Sequence, residues 1–401
     1  MKIGFISRYP PVHCGIAEYT RMLISGIRSI SPTTRIYVFS TTEAGEEPWV
    51  DELTGARVIP SYPKNAEDYE MLLENLRRVG GVDVIHVQHE YGIYGTSTKI
   101  IDALREAKEE KLARASIITT HTVLHEAISK EHSRFQRSLD HVDIVVVHSI
   151  LQEFELQAEG IEPSKIKRIP HGTLVNPYLG QPRHILAKSI GLREEDLEGF
   201  VVALPGFLRE DKGLDTLLEA LTMVKDKLTV IVAGEITSKT VLEILKEASY
   251  NQNIILIEKY LSSDEILRIV ALADALVLPY KDVRGKYSVS GILHLSMGGL
   301  KPILGTRVPR LVELYQFAPR LTVPPYNPSE LAKRITWLIQ NYDYAVAYMA
   351  TLYGYAARTQ WVRIARRHLE LYKAVVEERV YKSLVEPPTE TTAVAFDIDE
   401  P

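Results

Sequence analysis

One cysteine, Cys14, stands in 401 residues. A single thiol excludes a disulfide framework and a thiolate metal cluster, and it fits a reducing compartment. Long apolar runs are missing too: no stretch approaches the roughly 18 residues of a spanning helix. The opening segment, Met1–Pro11, is a short strand running into Arg8-Tyr-Pro-Pro, and it lacks the form of a signal peptide. An excess of positive charge is absent, with 47 Lys and Arg against 52 Asp and Glu and a net charge of -5. That balance argues against a dedicated nucleic-acid binder. No intact Gly-x-Gly-x-x-Gly follows the first strand of either half, and there is no Gly-x-Ser-x-Gly elbow or P-loop. These gaps weigh against nicotinamide enzymes, nucleophile-elbow hydrolases and P-loop NTPases. A cytoplasmic protein with no transmembrane segment is expected, and peripheral contact with the inner face of a membrane stays open.

What is present is a soluble globular composition, 45% hydrophobic and 25% charged, in a chain long enough for two domains. Short β-branched runs alternate with amphipathic stretches. The first half reads as strands 2–7, 35–40, 56–59, 82–87, 116–120, 144–147 and 166–169. Helices are expected between them at 15–29, 66–78, 98–109, 133–139 and 150–158. The rhythm breaks at Ile169-Pro-His-Gly172 and resumes with strands 200–204, 228–233, 254–257 and 275–278. Helices 214–225, 239–248, 263–271 and 330–341 accompany them. Such alternation predicts an α/β fold of two doubly wound parallel sheets. The expected domains are 1–175 and 198–345. A mostly helical, tyrosine-rich segment follows, interrupted near Gly354, and the polar, acidic residues 386–401 are expected to be disordered.

Open α/β sheets bind ligands beyond the carboxyl ends of their strands. In the first half those positions hold Arg8, His13, Cys14 and Gly15, then His89 and Glu90, then His121 and His125, then His171. In the second half they hold Gly206, Arg209, Lys212 and Gly213, then Glu235, then Tyr280 and a basic loop. Histidines and a carboxylate suit a sugar, whereas cations and glycines suit a nucleoside diphosphate. Ser290 can cap a short helix, and Gly291 lets a ligand approach its backbone, where free amides and the dipole favour a phosphate. The same pair also reads as an ordinary capped α/β connection, the histidines as hydrogen-bonded strand ends, and Glu90 as the cap of a following turn. Lys212 stands at a helix start, where a cation is unfavourable unless an anion is shared. Cys14 reads as a small buried residue. His121 and His125 have the spacing of a helical zinc pair but no third ligand, so no metal site is expected.

Taken together, these segments resemble the retaining nucleotide-sugar glycosyltransferases of the GT-B fold, group 1. The likeness runs from Met1 to about Lys382. It is carried by Tyr9-Pro-Pro-x-x-Cys-Gly-Ile-Ala17, Gln88-His-Glu-Tyr-Gly-Ile93, Thr120-His-Thr-Val123, Ile169-Pro-His-Gly172, Lys212-Gly213 and Ser290-Gly-Ile-Leu293 with Gly299-Leu-Lys-Pro302. The resemblance implies two Rossmann-like domains facing across a cleft, with a C-terminal helix, about 355–382, crossing back to the first. It implies a GDP- or UDP-linked sugar as donor, with mannose or glucose as the hexose and no further cofactor. The acceptor hydroxyl would belong to a glycan, a lipid-linked sugar or a small sugar; oligomeric state is not legible. Lys212, Arg209, Gly206 and the Ser290–Ile292 amides would hold the diphosphate, with Gly15 closing over it. His121 would meet the donor sugar, Glu90 or His89 would orient the acceptor or sugar, and Glu313 would reach the nucleoside or serve equally as a first-turn helix acid.

Departures from the family pattern are equally specific. Two glutamates with seven residues between them are usual in the family, and Tyr287 and Leu295 occupy those places. An arginine usually precedes the lysine by five residues; Phe207 stands there, with Arg209 as a stand-in. Leu300 replaces a usual glycine. A catalytically degenerate binder, or a GT-B epimerase or phosphorylase, is the alternative that these departures leave open.

Overall fold

The structure is a computed structural model that describes residues 1–248 and 254–377. The stretch 386–401, expected to be disordered, lies outside the described residues. The first sheet has eight strands in the order β3-β4-β2-β1-β5-β6-β8-β9. These are β1 (Lys2–Ile6), β2 (Arg35–Thr41), β3 (Trp49–Val50), β4 (Arg57–Tyr62), β5 (Val82–His89), β6 (Ala113–Thr120), β8 (Ile144–Val147) and β9 (Ile166–Arg168). All its ladders are parallel except β3 on β4. The second sheet is wholly parallel, in the order β12-β11-β10-β13-β15-β16. Its strands are β10 (Phe200–Pro205), β11 (Leu228–Ala233), β12 (Ile254–Ile257), β13 (Ala275–Leu278), β15 (Ile303–Thr306) and β16 (Thr322–Val323).

Central strands such as Ala275–Leu278 are buried along their whole length, as a parallel sheet covered on both faces requires. One apolar core fills the second domain. It reaches back to Leu186 and Ala187 and forward through Ala345, Met349, Leu352 and Ala356. The second domain therefore extends beyond 198–345 at both ends. Two further cores lie in the first domain. One of these includes Trp361, Ile364, Ala365, Leu369 and Tyr372 from the crossing helix, Trp361–Val376.

That helix is seated by close approaches. A Cβ at Gly26, in the helix Gly15–Ile30, would lie 2.8 Å from the Trp361 carbonyl oxygen, and one at Gly172 would lie 2.2 Å from the Trp361 ring. The Tyr372 hydroxyl hydrogen-bonds His86 Nδ1 at 2.6 Å. The expected interruption at Gly354 is not found: the helix Ala350–Arg358 runs through it, in open space. The chain breaks instead at Thr359–Gln360. There Thr173 donates its amide to Thr359 O and accepts from Trp361 N.

A third, two-stranded sheet joins the domains. β7 (Thr122–Leu124) pairs antiparallel with β14 (Lys286–Ser288), setting Tyr287 opposite Val123. The His125 amide extends the contact to Gly285 O at 2.7 Å. Beyond it, the His13 ring stacks on Tyr260 at 3.9 Å and lies 3.4 Å from a Glu235 carboxylate oxygen. Ser263 donates to Glu18 at 3.1 Å. Among the described residues no helix is long and apolar enough to cross a membrane.

Candidate active site

Each large sheet reverses its strand order once, between β1 and β5 and between β10 and β13. The loops leaving those strands, and the one leaving the adjacent β6, carry most of the candidate residues, which is where an open α/β sheet forms its binding crevice. From the first sheet comes Gly15, exposed, with nothing within 4 Å of where a Cβ would stand. Its N-cap, Cys14, contributes no side-chain hydrogen bond, so the first-turn amides lack a capping side chain.

His121 follows β6 and is 7% exposed. Its Nε2 lies 3.0 Å from Gln88 Oε1. Three further histidines extend from it in a row: His148 at 5.1 Å between ring centroids, His171 another 5.7 Å on, and His294 a further 4.6 Å. The row crosses from the first domain to the second. Tyr19 contacts the first three rings, and Trp361 packs on both Tyr19 and His171. Burial pushes all four imidazoles below the usual histidine range, aided at His121, His171 and His294 by neighbouring histidines, and His148 and His294 fall to about 4. They are neutral rings at neutral pH, able to exchange hydrogen bonds with hydroxyls.

The neighbouring carboxylate is placed differently from the sequence expectation. Glu90 makes no side-chain cap on the turn that follows it. Its Oε2 accepts from Thr122 Oγ1 at 2.8 Å and so braces β7. His89, expected near a substrate, has no exposed surface; it is stacked on Phe135 at 4.2 Å, and both ring nitrogens are unpartnered. No substrate reaches it there. His121 and His125 are not on one helix, because β7 lies between them. Among the described residues no group of three or more His, Cys, Asp and Glu side chains is arranged to hold a metal ion.

From the second sheet, β10 is followed by Gly206, whose φ is +104° and where a Cβ would stand 2.7 Å from Ile292. This contact sets the short helix Gly291–Met297 against the end of β10. Lys212 closes the next turn and is 4% exposed. Gly213 follows at φ +69°, its absent Cβ leaving room for the Pro279 carbonyl oxygen, which would be 1.9 Å away. The Lys212 ammonium turns inward, donating to the Tyr280 hydroxyl at 2.7 Å and lying 3.9 Å from that ring's centroid. Tyr280 in turn reaches Ser290 Oγ at 3.3 Å, and Ser290 Oγ caps the helix by accepting from Leu293 N at 3.2 Å. Gly291 is exposed, and a Cβ on it would stand 3.8 Å from His171 Nε2.

Arg209 and Arg310 both pair with Asp211, at 3.2 and 2.5 Å. Burial, then Arg310 and Arg209, drive the Lys212 pKa well below the usual lysine value. Three cations around one carboxylate leave a positive surplus that a bound anion would neutralise. Glu313 is 4% exposed and lies 3.7 Å from His294 Nε2. The sequence placed Tyr280 at the binding edge without a role, and it did not mark His294 or Arg310 as site residues. For His294, the available signal was its place one helical turn after Ser290.

Tyr287 and Leu295 have structural places. Tyr287 sits in β14 with its side chain packed on the first domain's core, and Leu295 is buried in the second. A cavity of about 570 Å³ lies elsewhere; none of its lining residues belongs to the cluster around Lys212 and His121.

Two comparisons bear on this arrangement. HepE from Anabaena, solved in complex with UDP and glucose, superposes with a TM-score of 0.67 at 16% identity, covering 93% of this chain and 100% of its own. Sucrose-phosphate synthase from Thermosynechococcus elongatus gives 0.72 at 16% identity, covering 94% and 100%. The fold is GT-B. WaaG, a glycosyltransferase involved in lipopolysaccharide biosynthesis, is similar at TM-score 0.64 and 14% identity, covering 93% and 99%. Residues 199–341, most of the second domain, match the family described as glycosyl transferases group 1. No curated protein sequence matches the chain.

Proposed function

We propose that this chain is a retaining hexosyltransferase that uses a nucleoside-diphosphate sugar, with glucose from UDP-glucose or mannose from GDP-mannose as the hexose. The observation that carries the reading is the linked set Lys212–Tyr280–Ser290 at the β10/β13 crevice, with Gly15 after β1 and His121 after β6 on the other domain. The group 1 match over 199–341 supports it. So does UDP in the solved complex of HepE.

The residues divide the work as follows. Lys212, with Arg209 behind it, and the amides at Ser290–Ile292 stabilise charge on the departing diphosphate. Gly206 leaves room for Ile292 to stand beside them. Gly15 and its uncapped helix start close from the other side. His121 hydrogen-bonds the donor sugar as a neutral imidazole. The acceptor hydroxyl attacks from the face that the diphosphate leaves, and a phosphate oxygen takes its proton, so no side-chain base is needed. Glu90 acts through β7 and the cleft wall. We assign Glu313 to the second domain's interior, behind the donor, and the reaction to the cytoplasm.

A second reading, a silent nucleotide-sugar binder, is favoured by one observation: Tyr287 and Leu295 stand where acidic groups would meet sugar and ribose. The test is thermal unfolding with UDP, GDP, ADP, UDP-glucose and GDP-mannose. A ligand at a hundredfold its Kd adds about 2.7 kcal/mol. A stabilising donor, radiolabelled in its hexose, is then incubated with the protein and candidate acceptors. Stabilisation without transfer or slow hydrolysis supports the silent binder, and no stabilisation by any diphosphate overturns both readings.

A further inference from the structure

One helical turn beyond Ser290, His294 is wholly buried. Its Nδ1 lies 2.9 Å from the Ser290 carbonyl oxygen. A carbonyl only accepts, so Nδ1 carries a hydrogen and Nε2 is the nitrogen left over. That Nε2 has no hydrogen-bond partner among the described residues. Facing it at 3.7 Å is Glu313 Oε1, from the helix Val312–Phe317, and Glu313 Oε2 is also buried and unpartnered.

The forms that these groups take in water cannot both persist here. A bare imidazole nitrogen and an ionised carboxylate would point lone pairs at each other, without water to screen them. One proton resolves the conflict, held either as a carboxylic acid facing imidazole or as an imidazolium facing carboxylate. The other titratable groups around the pair are His171 beside His294, His148 further along the row, and Tyr315 and Tyr355 on the Glu313 side. None brings a cation that would hold Glu313 ionised. Burial raises the Glu313 carboxyl and lowers the His294 imidazole, so in the empty protein a proton held by the pair favours Glu313.

We propose that His294 and Glu313 share one proton, which passes from Glu313 to His294 when the cleft binds a diphosphate. The carboxyl O–H bond breaks and an Nε2–H bond forms; a neutral pair becomes imidazolium and carboxylate, and nothing else is consumed. The imidazolium is bonded to the Ser290 carbonyl and lies beside His171, whose Nε2 faces Gly291. Positive charge thus appears under the anion only while the anion is there. His294 and Glu313 are positioning residues in this scheme, and the inference rests on the diphosphate reading of the cleft.

The test is nitrogen NMR of the full chain labelled with ¹⁵N-histidine, titrated with UDP, GDP and inorganic pyrophosphate near neutral pH. His294→Gln identifies the His294 signals. The expected result is a bare Nε2 in the free protein and a protonated Nε2 in the complex. Glu313→Gln keeps the side chain's shape, should leave Nε2 bare in both states, and should weaken diphosphate binding roughly tenfold. Binding with an unaltered His294 overturns this inference alone, as does a Glu313→Gln protein with undiminished affinity. Failure of every diphosphate to bind overturns the cleft assignment and this inference together.

Discussion

Replacing Lys212 by Met separates a binding role from a packing role, because the two move stability and affinity in different directions. The lysine is 4% exposed, and its ammonium donates to the Tyr280 hydroxyl and lies against the face of the same ring. Losing that bond and the cation–π contact costs about 1–3 kcal/mol. Relief of a buried ammonium beside Arg209 and Arg310 returns several kcal/mol. The empty Lys212→Met protein should therefore be as stable as the parent, or more stable by about 1 kcal/mol. Binding moves the other way. A hydrogen bond to a charged group is worth about 1.5–3 kcal/mol, so the donor Kd should weaken about tenfold to a hundredfold. Transfer should fall at least tenfold in parallel, about 1.4 kcal/mol of barrier.

A pH series adds a sign that can be checked. The folded pKa of Lys212 is depressed below its ordinary 10.5. Between those two values the unfolded chain binds more protons than the folded one. Stability of the empty protein then rises with pH across that window, and Lys212→Met removes that part of the slope. Urea unfolding at several pH values, with titration calorimetry of the donor, measures both quantities. A variant that unfolds more easily yet binds the donor undiminished would refute the reasoning, since Lys212 would then serve only to hold Tyr280.

Two further substitutions test the frame around the site. Gly213→Ala forces a side chain into a φ of +69° and sets its Cβ 1.9 Å from the Pro279 carbonyl oxygen. It should lower stability by about 2–4 kcal/mol and weaken the donor together with it, read by urea unfolding and calorimetry. Trp361→Ala empties the place where the crossing helix meets Tyr19, His171 and Gly172. It should destabilise the chain by about 3–5 kcal/mol in the same unfolding assay.

Much of this architecture was legible because its signals are local. β11, β12 and β13 begin and end where the apolar runs do, as do the helices Ile150–Ala158 and Lys239–Ala248. β7 and β14 were not legible. Each is three residues long, and each becomes a strand only through a partner in the other domain. The break in the C-terminal helices was misplaced for a related reason. Gly354 is a weak helix former with nothing packed against it, whereas Thr359 and Gln360 are held out of the helix by Thr173, far away in sequence. In the site, glycine and cation spacing pointed to Lys212 and Gly291, because backbone approach and charge leave marks on composition. The inward turn of Lys212, the sealed environment of His89 and the facing of His294 by Glu313 are products of packing. Sequence order does not carry them.

The β7–β14 ladder has a consequence for how the cleft can exchange its contents. Its second strand ends at Ser288, two residues before the serine that caps the helix Gly291–Met297. A rotation that parts the domains along this seam must unzip backbone bonds and withdraw Tyr287 from the first domain's core. The same tension pulls on the segment leading into Ser290. Opening is therefore not a swing about a slack tether, and entry and grip are coupled by a few residues of shared backbone. At Tyr287 this chain carries a stitch between its two domains.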